Sequence, residues 1–95
     1  MARSIALLKF TEQGAKNIRK STARAHAFDK IAAKAGVTVE GQYWTMGRFD
    51  GVLIISASDE GKVLHMLTLL AELGNVRTQT MQAFLDTEFD EIVGR

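Results

Sequence analysis

Four side chains carry the groups best suited to ligand chemistry. Tyr43 and Trp44 are neighbours and could form the aromatic floor of a small-molecule pocket. Asp50 could act as a general base or orient a ligand, and Arg77 could bind a carboxylate or a phosphate. Each also has a structural interpretation. The aromatic rings could pack in the core, Asp50 could close a turn by accepting backbone N–H bonds, and Arg77 could pair with an acid of a neighbouring strand or subunit.

Several other site chemistries have no support in the sequence. His26 and His65 fall on different predicted helices, without the three or four ligands of a zinc site. No Ser-His-Asp arrangement or phosphate-binding P-loop is visible. Cysteine is absent, which removes disulfides and thiolate chemistry and fits a reducing compartment such as the cytoplasm. We therefore expect no metal, no cofactor and a cytoplasmic protein.

Length and composition predict one globular domain over residues 1–95. The apolar fraction of 46% is too high for a disordered chain. No apolar run approaches the roughly 18 residues of a membrane helix, and the N-terminus has no long apolar signal segment, so we expect no membrane association. A chain this short buries a modest share of its surface, which makes self-association a plausible source of stability.

The apolar periodicity that positions these side chains predicts the order strand, helix, strand, strand, helix, strand. Strands are expected at residues 3–10, 37–46, 51–57 and 76–85, with helical segments at 11–35 and 58–73. The expected helix boundaries are Thr11, Ser21 or Thr22, and Ser58 at the starts, and Gly36 and Gly74 at the ends. Residues 86–95 form an acidic tail, expected as a short helix. Right-handed crossovers convert this order into an α+β fold, a ferredoxin-like βαββαβ sandwich with a four-stranded antiparallel sheet.

The two predicted central strands are apolar on both faces. Residues 3–10 alternate Ile and Leu with Ala, Leu and Phe, and residues 51–57 read Gly-Val-Leu-Ile-Ile-Ser-Ala. A sheet with helices on one face only should alternate apolar with polar residues. The second face should therefore also be shielded from water. The simplest way is contact with the same face of a second copy, related by a two-fold axis. In the second helix, Leu69 is expected to lie outside the contacts within the chain.

Charge is unevenly distributed along the chain. Residues 1–48 hold nine Lys and Arg against three Asp and Glu, whereas residues 49–95 hold three against eight. The cluster formed by Lys16, Arg19, Lys20 and Arg24 could bind an anionic partner. However, residues 51–57 lack the aromatic side chains with which RNA-recognition domains of this element order stack bases, so no nucleic-acid binding is expected. The acidic tail is the natural partner of the cluster, within the chain or across a subunit contact.

Two long segments resemble the GYD-domain family: residues 43–55, Tyr-Trp-Thr-Met-Gly-Arg-Phe-Asp-Gly-Val-Leu-Ile-Ile, and residues 73–84, Leu-Gly-Asn-Val-Arg-Thr-Gln-Thr-Met-Gln-Ala-Phe. Residues 10–14 also fit. The Gly, Tyr, Asp signature maps to Gly47, Phe49 and Asp50, so phenylalanine replaces the tyrosine. The resemblance implies a sheet-to-sheet dimer, the dimeric α+β barrel, and it implies no specific activity.

Three functions follow as hypotheses. The first is a small homo-oligomeric domain that binds a small molecule at or near the dimer interface, close to Tyr43, Trp44, Asp50 and Arg77. The second, by analogy with the fold, is a cofactor-free monooxygenase- or isomerase-like enzyme that uses Trp44, Asp50 and Arg77. The third is a structural role in which self-assembly is itself the function.

Overall fold

A computed structural model describes residues 1–94 of the chain. Its elements are β1 (Ala2–Phe10), α1 (Glu12–Lys16), a 3-10 turn (Ile18–Lys20), α2 (Ser21–Lys34), β2 (Val37–Trp44), β3 (Gly51–Ala57), α3 (Glu60–Glu72), β4 (Val76–Gln82) and α4 (Asp86–Val93). The predicted element order is confirmed, and the helical region at 11–35 is divided as expected.

The four strands form one sheet in the order β2-β3-β1-β4, and every neighbouring pair is antiparallel. This is the predicted ferredoxin-like α+β arrangement, with β1 and β3 at the centre. Ile5 lies opposite Ile54 on one side and opposite Met81 on the other. A bulge between Val39 and Gly41 shifts the register of β2 against β3.

Helices α2 and α3 pack on one face of the sheet and form the core. Ile55 and Met66 are its largest fully buried side chains. Phe28 of α2 and Val63 of α3 contribute further apolar area. The predicted exposure of Leu69 is wrong, because Leu69 packs against this core; Leu64 is the strongly exposed leucine of α3.

The helix starts confirm one predicted cap and correct two. Thr11 Oγ1 accepts a hydrogen bond from the Gly14 N–H at 3.1 Å, as predicted for an N-cap. Ser21 is not a cap, because its hydroxyl donates backwards to the Ile18 carbonyl at 2.6 Å within the 3-10 turn. Ser58 is not the cap of α3 either. Asp59 has extended backbone and lies three residues before Lys62, whose N–H it accepts at 3.0 Å.

Two strands are shorter than predicted, and loop contacts explain the end of one of them. The sequence suggested that the second strand continues to Met46, but β2 ends at Trp44 because Thr45 closes a loop. The Thr45 N–H donates to the Asp50 carbonyl at 2.9 Å and its hydroxyl donates to the Phe49 carbonyl at 2.7 Å. The fourth strand was expected to reach Leu85 but ends at Gln82, and the acidic tail then forms the predicted short helix. Among residues 1–94, no helix combines the length and apolar character needed to cross a bilayer.

Candidate functional site

The face of the sheet opposite α2 and α3 is uncovered within the chain; we call it the open face. Ala2, Ser4 and Ala6 are buried towards the helices, so the alternation of side chains places Ile5 and Leu7 on the other side. Their partners in the strand register, Ile54 and Val52, share that side. All four are only partly buried. The centre of the open face is therefore a continuous apolar surface.

Polar and aromatic residues surround this apolar centre. Tyr43 is paired with Val52 and is 60% exposed, and Met81 is paired with Ile5 and is 49% exposed. The Tyr43 ring lies over Gly41, where its Cε2 atom is 3.2 Å from the position that a Cβ would take. Lys9 and Arg77 lie opposite each other at one end of the face.

A cavity of about 90 Å³ lies on the other side of the sheet, between its edge and helices α2 and α3. Most of its wall is apolar and includes Leu8, Phe10, Phe28, Trp44, Leu53 and Leu70. The polar residues at the cavity include Ser21, Arg24, Gln42, Asp50 and Asn75. A mostly apolar cavity with a few polar groups is typical of small-molecule sites.

The polar side chains of the cavity differ in how far they are already engaged. Asp50 Oδ2 accepts the Phe10 N–H at 2.8 Å. The Arg24 guanidinium donates to the Asn17 carbonyl at 2.7 Å and to Ser21 Oγ at 3.3 Å. In contrast, the Gln42 side chain makes no hydrogen bond to any other residue within 1–94. Both the donor and the acceptor of the Gln42 amide are thus free at the cavity.

The four predicted site residues do not converge on one point. Trp44 and Asp50 line the cavity, and Tyr43 borders it while its ring lies on the open face. Arg77 lies on β4 at the basic end of the open face, outside the cavity lining. The three residues of the enzyme hypothesis are therefore divided between two faces of the sheet. Within residues 1–94, no group of three His, Cys, Asp or Glu side chains is arranged to hold a metal ion.

Sequence reasoning missed Gln42 and Arg24 as cavity residues. Alternation along β2 puts Gln42 on the same side as Trp44, so Gln42 would have been found once Trp44 was assigned to the helix side. Arg24 was grouped with the basic cluster, and only the packing of α2 shows that it borders the cavity.

The acidic tail begins on the open-face side of the sheet. Arg3 occupies the same side as Ile5, and its Nη1 donates to Glu88 Oε1 at 3.2 Å. Glu88 Oε1 also accepts the Leu85 N–H at 2.7 Å, which fixes the first turn of α4. Glu88 of the tail therefore pairs with Arg3 and not with the basic cluster at Lys16–Arg24.

Comparison with known proteins assigns this chain to a protein family. The GYD domain family model matches residues 5–93. The chain belongs to the GYD domain family. A relative from the bacterium Thermus thermophilus, described as "Glutamine synthetase and cystathionine beta-lyase binding protein", is 31% identical over 80 residues, which cover 83% of this chain and 84% of the relative. No solved structure matches the chain significantly.

In this GYD domain the signature positions shape the loop between β2 and β3. Gly47 has a φ of 117°, a conformation that side-chain-bearing residues rarely adopt. The Phe49 carbonyl accepts the Thr45 hydroxyl, and its ring lies 5.8 Å from the Arg48 guanidinium carbon. Together with the Asp50 contact to Phe10, these interactions give the signature a structural role in holding the loop against the end of β1.

Proposed function

We propose that this GYD domain is a self-associating protein-binding module. The apolar centre of the open face, formed by Ile5, Leu7, Val52 and Ile54, is the observation that carries the proposal. Continuous apolar surfaces that the rest of the chain leaves uncovered mark interaction sites in small proteins. A second copy fits this face because a two-fold axis pairs identical apolar patches with each other.

The relative from Thermus thermophilus indicates which class of protein this module would bind. The Thermus protein is described as binding glutamine synthetase and cystathionine beta-lyase. We extend that role to this chain and propose that its dimer binds an enzyme of this kind. With the open face occupied by a second copy, exposed apolar side chains elsewhere remain available for the enzyme, notably Ile18, Met46 and Leu64.

The first experiment measures mass by light scattering at micromolar concentrations. The wild type is expected as a dimer or larger, and Ile54→Lys as a monomer, because the charge would be buried in the contact. Leu64→Lys is the matched control, since it places the same charge on an exposed leucine of α3 and should leave the mass unchanged. A wild type that is monomeric at tens of micromolar would overturn self-association.

The second experiment measures binding of purified glutamine synthetase and cystathionine β-lyase to the immobilised wild type by interferometry. Binding of at least one enzyme is expected, and Leu64→Lys should weaken it if α3 contributes to the contact. The absence of binding to both enzymes at tens of micromolar would contradict the proposed partner class while leaving self-association intact.

A second candidate function is small-molecule binding in the cavity between the sheet and the helices. Its support is the combination of an apolar wall with the unengaged side-chain amide of Gln42. A suitable ligand has an aromatic or branched aliphatic body, which packs against the apolar wall, and a hydrogen-bonding group, which binds the Gln42 amide. This site is independent of the open face, so a module could bind a protein partner and a small molecule at once.

A further inference from the structure

Helix α4 is amphipathic, and its apolar side is exposed. Phe89, Ile92 and Val93 stand three and four residues apart, so they form one stripe along the helix. They are 57%, 48% and 59% exposed, and no residue of α4 is buried. Asp86 and Asp90, also four residues apart, run along one flank of this stripe. The helix thus presents an apolar stripe with an acidic border to its surroundings.

The first turn of α4 is held on the open-face side of the sheet. Arg3 projects from that side, and its ion pair with Glu88 brings α4 to the end of the sheet where β1 begins and β4 stops. Phe84 and Leu85, which connect β4 to α4, are also about half exposed. Exposed apolar side chains are therefore present both in this connection and along α4.

The opposite end of the open face is basic. Lys9 and Arg77 are directly opposite each other in the strand register, an arrangement that is unfavourable for two like charges. Lys9 Nζ donates to the Arg48 carbonyl at 3.0 Å, and Arg77 forms no ion pair or side-chain hydrogen bond with other residues in 1–94. This end of the face has two neighbouring cations without an acidic partner in the described part of the chain.

We propose that α4 of one copy docks on the basic end of the open face of a second copy. This inference rests on the self-association proposed above and adds its orientation. If two open faces packed with equivalent ends together, the acidic α4 helices would face each other. If the strands of the two copies run in opposite directions, each α4 lies over the Lys9 and Arg77 of the other copy. Two-fold symmetry then forms the contact twice.

The area of the face favours the same arrangement. Four strands about 4.8 Å apart, each about 23 Å long, give a face on the order of 450 Å². Stable interfaces bury about 800 Å² on each partner. The rectangle is a flat area, and the side chains on it expose more surface than that, so the two values are of the same order. A docked α4 adds buried area on both partners, because each copy both provides a helix and receives one.

The docked helix would also reach the neighbourhood of the cavity. Lys9 and Arg77 lie at the same end of the sheet as Trp44 and Asp50, where β1 ends and β3 begins. The α4 helix of a second copy would therefore lie across the sheet from the cavity, near Tyr43.

Complementary charge exchange tests the docking. The basic-end variant carries Lys9→Glu and Arg77→Glu, and the helix variant carries Asp86→Lys and Asp90→Lys. Each variant alone is expected to raise the dissociation constant by about tenfold or more, because like charges then face each other. An equimolar mixture should restore association, since both contacts of the mixed dimer again join opposite charges. Sedimentation equilibrium of each variant and of the mixture measures these constants.

Control variants distinguish a loss of docking from effects of net charge and of misfolding on association. Arg19→Glu with Lys30→Glu makes the same charge change as the basic-end variant on exposed positions away from the open face, and its association should match the wild type. Phe89→Ser removes apolar area from α4 without changing charge and should also weaken association. Circular dichroism establishes that each variant is folded.

The outcomes are distinct. A wild-type monomer would overturn self-association itself, and with it the proposed function. A wild-type dimer whose dissociation constant is unchanged in Phe89→Ser and in the folded charge variants would overturn the docking of α4 alone. A mixture that associates no more tightly than its components would overturn the pairing of α4 with Lys9 and Arg77.

Discussion

The Asp50 carboxylate accepts a hydrogen bond from the backbone N–H of Phe10 at 2.8 Å, although the two residues are 40 positions apart in the chain. The backbone N–H of Asp50 donates in turn to the Leu8 carbonyl at 2.8 Å. Asp50 therefore continues the contact between β1 and β3 beyond the last paired residues. Its carboxylate positions the loop at Thr45–Asp50 beside the cavity.

Replacement of Asp50 should reduce stability. We expect Asp50→Ala to lower the free energy of unfolding by about 1–2 kcal/mol, because the Phe10 N–H loses a charged acceptor. Asp50→Asn should cost less, since its amide oxygen can still accept that bond. Urea unfolding followed by circular dichroism measures both variants. Equal stability of Asp50→Ala and the wild type would contradict a structural role for this carboxylate.

Thr11 gives a second prediction, because its hydroxyl joins the start of one helix to the end of another. Thr11 Oγ1 accepts from the Gly14 N–H and donates to the Gly74 carbonyl at 2.6 Å. Thr11→Ala should therefore destabilise the protein by about 1–2 kcal/mol, within the range for lost helix caps. Thr11→Ser retains the hydroxyl and should remain close to the wild type in thermal unfolding. A serine variant as unstable as the alanine variant would show that the methyl group matters more than these bonds.

The sequence predicted the features that depend on local pattern. The alternation in residues 51–57 identified β3 and its two apolar faces, and Gly36 and Gly74 ended α2 and α3 with φ values of 82° and 79°. One error lies where two neighbouring residues compete for one role. Ser58 and Asp59 can both cap a helix, and the extended backbone at Asp59 decides between them.

The candidate site depends on contacts between distant residues, which a single sequence does not reveal. Trp44 and Arg77 were grouped because an aromatic ring and a guanidinium suit ligand binding, but the registers of β2 and β4 put them on opposite faces of the sheet. The Arg3–Glu88 pair spans 85 positions and determines where α4 begins. No periodicity in the sequence encodes that separation.

The Arg3–Glu88 contact gives a third prediction. Glu88 has two roles, since its carboxylate pairs with Arg3 and accepts the Leu85 N–H. Glu88→Ala should loosen α4 and increase amide hydrogen exchange across residues 86–93. Glu88→Gln keeps an acceptor for the Leu85 N–H, so its exchange should lie between the alanine variant and the wild type. Unchanged exchange in Glu88→Ala would mean that α4 is held by other contacts.

The cavity gives the fourth prediction, which concerns small-molecule binding. Its volume of about 90 Å³ suits a small ring that extends partly into the opening, since a dry cavity of roughly 150 Å³ is known to bind benzene. Phenol, benzamide and benzoate at millimolar concentrations serve as probes in a thermal-shift measurement. We expect benzamide to stabilise the wild type most, because its amide can both donate to and accept from the Gln42 side chain.

Two alanines of α2 provide a matched pair for this experiment. Ala25 lines the cavity, whereas Ala23 is exposed on the same helix and is not part of the lining. Ala25→Leu should fill the cavity and abolish the benzamide shift, while Ala23→Leu should preserve it. Gln42→Leu should retain binding of an apolar ring and lose the preference for benzamide over phenol. If benzamide shifts Ala25→Leu as much as the wild type, the probe binds elsewhere and the cavity is not a ligand site.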